Sequence, residues 1–181
     1  MNVLLINGSP HEKGCTYTAL SLVAGELNAA GITTEILNVG TKPVGGCIGC
    51  GGCAKGNGCV FGGVVNEAIE KAKTADAFVF GTPVHYASAS GNMTSFMDRL
   101  AYAGGRYLAY KPAAICCSAR RAGTTTTLDQ LVKYPQFFHM PLVNGSYWAM
   151  VHGSNPEQVL QDAEGCAVMQ LSLIHISEPT R

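Results

Sequence analysis

Short apolar runs alternate along this chain with segments of helical periodicity, and this alternation constrains the fold more than any other feature. The runs with the composition of strands lie at residues 3–6, 33–39, 77–81, 112–118 and 146–151. Helical patterns occupy residues 17–30, 64–74, 92–103, a segment from about 126 to 134, and a last one opened by Asn155-Pro156. Because right-handed crossovers join such strands, the sequence predicts an α/β fold with a doubly wound, five-stranded parallel sheet.

Loops rich in Gly, Ser, Thr or Pro follow the first, third and fourth predicted strands, at residues 8–16, 82–91 and 118–125. In the flavodoxin-like strand order 2-1-3-4-5, these loops meet beyond the carboxyl ends of the strands, where ligands bind. The first loop precedes a helix, so its backbone N–H groups and the helix dipole can bind an anion. It lacks the glycine patterns of dinucleotide and Walker A loops, which favours a monophosphate. The alternative is an ordinary strand-to-helix turn with a helix cap.

Four cysteines are concentrated in the glycine-rich segment 40–63, an insertion after the second strand. Their spacing, Cys47-x2-Cys50-x2-Cys53-x5-Cys59, begins like the run by which bacterial ferredoxins bind an iron–sulfur cube, although the position of the fourth cysteine departs from that pattern. Thiolates also bind zinc, but zinc ribbons usually place two Cys-x2-Cys knuckles far apart. Three interpretations stay open: a [4Fe–4S] cluster, a zinc site, or free or disulfide-exchanging thiols.

Charge and hydropathy narrow the classes of partner. Twelve basic and twelve acidic residues give a formal net charge of zero, so no electrostatic signature of nucleic-acid binding is present. No apolar run reaches the length of a membrane span, and the N-terminus lacks the features of a secretory signal. We therefore expect a small molecule or a protein as partner, no nucleic acid, no membrane and a cytoplasmic location. In a reducing compartment a tight cysteine cluster favours a metal or redox site over disulfides.

The remaining cysteines carry a simpler expectation. Cys116 and Cys117 lie within the fourth predicted strand, and Cys166 lies on a helix. Since a free thiol in an apolar element behaves as a small hydrophobic group, we expect these side chains to pack in the core.

The end of the sequence is unlike the rest. Residues 171–181, LSLIHISEPTR, resemble the translation of a transposase adapter used to prepare sequencing libraries. We interpret them as an artefact, so that residues 1–170 form the domain and the natural chain is expected to continue past Gln170. The alternative is a natural polar tail.

The three loops also resemble the flavin-binding loops of the NAD(P)H-dependent FMN reductase superfamily. The resemblance is carried by Gly8-Ser9-Pro10 with Gly14-Cys15-Thr16, by Thr82-Pro83-Val84-His85-Tyr86, and by Ser118-Ala119-Arg120-Arg121-Ala122-Gly123-Thr124-Thr125. With its compact cysteine motif, the chain is similar in particular to the iron–sulfur flavoproteins of anaerobic microbes. The resemblance covers nearly all of residues 1–170.

This resemblance implies the residues that surround FMN. The first loop would surround the phosphate with Ser9, Cys15 and Thr16, and its Pro10 and Gly14 are further candidate cofactor-binding residues. The second would run along the isoalloxazine through Pro83, Val84, His85 and Tyr86, and the third would approach the other edge of the ring through Ser118, Ala119, Arg120 and Gly123. Many relatives carry Asn or Ser at the position of Cys15, and a thiol is a weaker hydrogen-bond donor than either.

The resemblance further implies an FMN-dependent oxidoreductase. It would pass electrons between NAD(P)H or another donor and an acceptor, through FMN and a [4Fe–4S] cluster on the four cysteines. His85, Tyr86 and Arg120 are the candidate catalytic residues, and Arg120 would stabilise negative charge on reduced flavin. A homodimer or homotetramer is also implied. The alternatives are a cluster-free flavin or quinone reductase, and a non-catalytic electron carrier or zinc-stabilised interaction module.

Overall fold

The computed structural model describes residues 1–171, so the adapter-like tail lies outside the described residues except for its first position. In chain order the elements are β1 (Asn2–Asn7), α1 (Cys15–Ala29), β2 (Thr33–Asn38), α2 (Val64–Thr74), β3 (Ala77–His85), β4 (Ser88–Ala89), α3 (Gly91–Gly104), β5 (Ala113–Ala119), α4 (Thr124–Phe137), β6 (Met150–His152), α5 (Pro156–Val159) and α6 (Ala163–Leu171). None of these helices is long and apolar enough to cross a membrane.

The sheet has the predicted order. Its parallel strands run β2-β1-β3-β5-β6, and the short strand β4 pairs antiparallel with the end of β3. The central register aligns Ile6 with Phe80 and Phe80 with Ile115. The predicted order 2-1-3-4-5 is thus confirmed, and β4 is an addition that the sequence pattern did not indicate.

Both faces of the sheet are covered. Leu4 and Ile6 of β1 belong to a core cluster with residues of α2 and α3, such as Phe96. Val3 and Leu5 belong to a second cluster that includes Leu20 of α1 and residues of α6. Since neighbouring residues of a strand face opposite sides of the sheet, one continuous apolar run supplies both cores.

Strand β3 runs on to His85 instead of ending at residue 81, so Pro83, Val84 and His85 lie in a strand and not in a loop. Two further predicted elements differ more from the structure. The fifth strand was expected at residues 146–151, but β6 is shorter and begins later, because its pairing with β5 starts where Met150 meets Cys117. The last helix is divided into α5 and α6. Asn155 caps α5 as expected, with Oδ1 accepting from Gln158 N at 2.9 Å, and Asp162 Oδ1 accepts from Gly165 N at the start of α6.

Candidate functional site

A cavity of about 280 Å³ lies at the carboxyl ends of the strands. All three loops singled out from the sequence contribute to it. The predicted cofactor residues on its wall are Ser9, Cys15, Thr16, Pro83, Val84, His85, Ser118, Ala119 and Arg120. His11 also lines it, and a fourth loop, after β6, adds Gly153 and Ser154. The sequence analysis missed this fourth contribution, although the Gly-Ser pair after the last strand was a usable signal.

Four predicted site residues lie outside that wall. Pro10 lines a neighbouring cavity, which it shares with His85. Gly14 and Gly123 precede the first turns of α1 and α4. Gly123 has φ 88°, and a Cβ there would lie 2.7 Å from Ala87 Cα, so glycine permits both the turn and close packing. Tyr86 is fully exposed at the tip of the β3–β4 hairpin.

The start of α1 has the properties of an anion site. Its N-cap residue, Gly14, supplies no side-chain cap, and the first turn contains no acidic residue. By contrast, the start of α3 is capped, since Ser90 Oγ accepts from Met93 N at 3.2 Å. Cys15 and Thr16, the first two residues of α1, lie on the cavity wall. A negative group there would meet backbone N–H donors and the positive end of the helix dipole.

Buried hydroxyl groups join the first and third loops. Thr16 Oγ1 and Ser118 Oγ lie 2.7 Å apart and form a hydrogen bond. Ser9 Oγ accepts from His11 N at 3.1 Å, and Ser9 N donates to Asn7 Oδ1 at 3.1 Å. These hydroxyls therefore hold the loops in place as well as facing the cavity.

The thiol of Cys15 points to the fourth loop. Its Sγ donates to Gly153 O at 3.6 Å. Burial raises the pKa of Cys15, and the nearby charge of Glu157 raises it further, so the thiol stays protonated near neutral pH. The Cys15 thiol is thus already hydrogen-bonded within the protein, whereas the backbone N–H groups at the start of α1 are still suited to bind an anion.

His85 and Arg120 are exposed residues on the cavity wall. His85 ends β3 and separates the strand-end cavity from the neighbouring one, which is also lined by Val44 and Asn92. The two residues after it, Tyr86 and Ala87, have φ values of 51° and 57°. Two left-handed residues match the tight turn of a β-hairpin, so backbone strain is stored directly beside the site.

The four clustered cysteines line a second cavity, of about 240 Å³. Cys47 and Cys50 are exposed, and Cys53 and Cys59 are half-buried. Gly49 and Gly51 have φ values of 65° and 69°, which allow the tight turns between them. Within residues 1–171, no three or more His, Cys, Asp or Glu side chains approach closely enough to hold a single metal ion. The thiols share one cavity without meeting at one point.

Both the backbone and the side chain of Cys59 are fixed by hydrogen bonds. Its N–H donates to Asn66 Oδ1 at 2.8 Å, and its carbonyl accepts from Asn66 Nδ2 at 3.0 Å. Its Sγ accepts from Arg99 Nε at 3.2 Å. The sequence analysis missed both Asn66 and Arg99. The only signals were a polar residue in the first turn of α2 and an arginine within the apolar stripe of α3.

Asn92 ties the cysteine segment to the strand-end region. Its Nδ2 donates to Gly40 O at 2.8 Å and Lys42 O at 3.1 Å, and its Oδ1 accepts from Val44 N at 3.1 Å. Since Asn92 and Val44 line the cavity next to His85, the segment that carries the cysteines begins beside the candidate flavin site.

Sequence comparisons match this chain to one protein family and to several curated proteins. Residues 1–155 match the family model described as NADPH-dependent FMN reductase. An iron-sulfur flavoprotein of Methanocaldococcus jannaschii is 32% identical over 99 residues, which are 55% of this chain and 51% of that protein. One from Archaeoglobus fulgidus is 33% identical over 99 residues, 55% of this chain and 48% of that protein. The matches thus span about half the length of these relatives.

Solved structures with the same fold cover nearly the whole chain. An NAD(P)H:quinone oxidoreductase from Methanothermobacter marburgensis has a TM-score of 0.73 at 16% identity. The match covers 100% of this chain and 99% of that protein's chain. An NADH:FMN oxidoreductase in its apo form has a TM-score of 0.70 at 17% identity, covering 98% and 91%. At such identities they show the fold, and the flavodoxin-like prediction is confirmed. By its family match, this chain belongs to the NADPH-dependent FMN reductase family.

Proposed function

We propose that this protein is an FMN-dependent oxidoreductase that passes electrons between NAD(P)H, or another donor, and an acceptor through FMN and a [4Fe–4S] cluster. The observation that carries the proposal is the meeting of loops from separate strands at one cavity, beside the uncapped start of α1. Family membership and the names of the archaeal relatives support the same chemistry.

The residues on the cavity wall fit FMN. The backbone N–H groups at Cys15 and Thr16 would bind the phosphate, because no side chain caps this helix start. Pro83, Val84 and His85 would lie along the isoalloxazine, and the β5 loop would approach its other edge. The cavity, about 280 Å³ and open to one side, is close in size to small-molecule sites.

Two exposed side chains would act on the bound ring. The Arg120 guanidinium carries a permanent positive charge, which would stabilise negative charge on the pyrimidine edge of the ring. The His85 imidazole can donate to or accept from a ring heteroatom. Tyr86, at the exposed tip of the hairpin, would cover the ring from the solvent side.

The four cysteines fit a cluster better than a single ion. A tetrahedral zinc site needs four donors around one point, whereas each iron of a four-iron cluster takes its own thiolate around a larger body. Four thiols line one cavity, as the ligands of such a larger body would. Cys47, Cys50, Cys53 and Cys59 would be the ligands.

Bound FMN supplies one- and two-electron chemistry and a four-iron cluster supplies one-electron transfer. The chain's role would be to hold both groups near each other, with Asn92 fixing the start of the cysteine segment beside the end of β3 at His85. The same proposal includes a cytoplasmic location, because a reducing compartment keeps the eight cysteines available as thiols. It also includes a homodimer or homotetramer.

Anaerobic titration with a reduced nicotinamide tests the proposal. Protein loaded with FMN should lose its flavin absorption on addition of NADPH or NADH, and an Arg120→Gln variant should do so at least about tenfold more slowly. Lys133→Gln, on the exposed side of α4, is the control and should match the unaltered protein. Bleaching by dithionite but by neither nicotinamide would contradict the reductase role and would favour an electron carrier.

A cluster-free flavin or quinone reductase is the second candidate. It is favoured by the exposure of Cys47 and Cys50, since exposed thiols can also exchange disulfides. Iron and acid-labile sulfide measured on anaerobically purified protein separate the two candidates. Full flavin content without iron would support the cluster-free enzyme.

A further inference from the structure

One buried arginine reaches into the cysteine cavity. Arg99 lies in the middle of α3 with only 6% of its surface exposed, and it lines the cavity together with the four cysteines. Its Nε donates to Cys59 Sγ at 3.2 Å. An arginine this deeply buried ordinarily pairs with a carboxylate.

The same guanidinium holds both ends of the cysteine segment. One terminal nitrogen donates to Gly45 O at 3.4 Å, before the first cysteine, and the other donates to Gly62 O at 3.0 Å, after the last. The group also lies over the Phe61 ring, 5.5 Å from its centroid. A single planar guanidinium group, carried by a helix, thus binds an irregular segment both before its first cysteine and after its last.

The charge of Arg99 has no anionic partner in the described part of the chain. None of the ion pairs within residues 1–171 includes it, and its contacts are a sulfur, two carbonyl oxygens and an aromatic ring. Leaving a buried cation without a counter-charge is strongly unfavourable. A cluster ligated by four thiolates carries net negative charge and would supply that counter-charge in the cavity that Arg99 lines.

We propose that Arg99 is a positioning residue that holds Cys59 toward the cluster and raises the cluster's reduction potential. This inference rests on the proposed function. A fixed positive charge and an N–H···S hydrogen bond stabilise the reduced cluster, which carries one more negative charge, more than the oxidised cluster. Arg99 therefore adjusts the ease with which the site takes up an electron, without contacting the flavin cavity.

The test compares Arg99→Gln and Arg99→Lys with a matched control, Arg106→Gln. Arg106 also contacts the cysteine segment, through Gly56 O at 3.4 Å, but it is exposed, and its other hydrogen bond goes to the Tyr107 hydroxyl at 2.7 Å. Each protein is purified anaerobically, assayed for iron and sulfide, and titrated electrochemically while the cluster absorption is followed. The midpoint potential is the deciding measurement, since a merely structural role of Arg99 would leave it unchanged in any variant that retains the cluster.

We expect Arg99→Gln to lower the midpoint potential of the cluster. At a fixed applied potential, the ratio of reduced to oxidised cluster should then fall about tenfold. Arg99→Lys, which keeps the charge but loses the planar fork, should show a smaller shift and keep its iron even if Arg99→Gln loses it. Arg106→Gln should match the unaltered protein.

Unchanged midpoint potentials in both Arg99 variants, or an equal shift in Arg106→Gln, would overturn the inference about Arg99 and leave the proposed function standing. Unaltered protein that binds flavin but no iron would overturn the proposed cluster and the inference with it.

Discussion

At the scale of single residues, Gly40 shows how closely the two candidate sites are built together. A Cβ at this position would collide with the carbonyl oxygens of Gly8 and Ser9, which belong to the first loop beside the candidate flavin cavity. Gly40 O in turn accepts from Asn92, which anchors the cysteine segment. Only glycine allows the chain leaving β2 to cross the loop at this distance.

Substitution of this glycine should therefore affect both stability and binding. We expect Gly40→Ala to lower the free energy of unfolding by about 1–3 kcal/mol and to weaken FMN binding, because the backbone of the loop must move. The control is Gly25→Ala on the exposed face of α1, where a Cβ meets nothing within 4 Å and alanine favours the helix by about 0.5–1 kcal/mol. Urea unfolding and fluorescence titration with FMN measure the two effects. Equal stabilities of the two variants would contradict this account of Gly40.

The cysteines allow a second residue-scale prediction. Cys50→Ser should abolish or greatly reduce bound iron while flavin stays bound, because a hydroxyl is a poor substitute for a thiolate ligand and the cavities are separate. Cys166→Ser is the control. Its Sγ donates to Val159 O at 3.2 Å, far along the chain from the cluster motif, and it should keep its iron. Iron content that is unchanged in Cys50→Ser would exclude this residue as a ligand.

At the scale of elements, the first helix carries the prediction on ligand choice. If the uncapped start of α1 binds a phosphate, FMN should bind at least about tenfold more tightly than riboflavin, which lacks that group. Cys15→Asp should remove most of this preference, since a carboxylate in the first turn would repel the phosphate and compensate the positive end of the helix dipole itself. Cys15→Ser keeps the backbone N–H and should preserve it. Equal affinities for FMN and riboflavin in the unaltered protein would contradict the anion site.

The same scale shows what the sequence could reveal and what it could not. The bounds of α2 were predicted residue for residue, because its apolar positions are spaced regularly and glycine precedes it. Strand β6 was misplaced, because Tyr147 and Trp148 look like strand residues but are exposed and pack edge-to-face on each other. Arg99 was overlooked, since its place within the apolar stripe of α3 does not by itself show what a buried guanidinium would contact. Its contacts with Gly45, Cys59 and Gly62 depend on distant parts of the chain.

At the scale of the whole molecule, two buried thiols link stability to alkaline pH. Complete burial raises the pKa of Cys116 to about 12 from the ordinary value of 9.0, and burial raises the pKa of Cys117 as well. Above pH 9 the unfolded chain loses these protons while the folded chain keeps them. The unfolded state then binds fewer protons, so the free energy of unfolding falls as pH rises from about 9 to about 12.

The expected slope is about 1.4 kcal/mol per pH unit for each buried thiol. Replacing both Cys116 and Cys117 by alanine should make the dependence correspondingly shallower, although the cavities left behind lower stability at neutral pH. Urea unfolding of both proteins across this pH range measures the difference. Parallel curves for the two proteins would show that these thiols do not control alkaline unfolding.

The molecule as a whole places two cavities around one helix. Asn92 and Ser90 at the start of α3 line the cavity next to His85, and Arg99 further along the same helix lines the cysteine cavity. The cysteine segment is bound to α3 at both places, through Asn92 and Arg99. Helix α3 therefore connects the cysteine cavity with the cavity that shares His85 with the candidate flavin site.

The most direct test of this account is the absorption spectrum of anaerobically purified protein, combined with flavin, iron and sulfide analysis. The account predicts about one FMN per chain and about four iron and four sulfide, with broad visible absorption beneath the flavin bands that disappears in Cys50→Ser. One zinc per chain, with neither flavin nor iron, would contradict it.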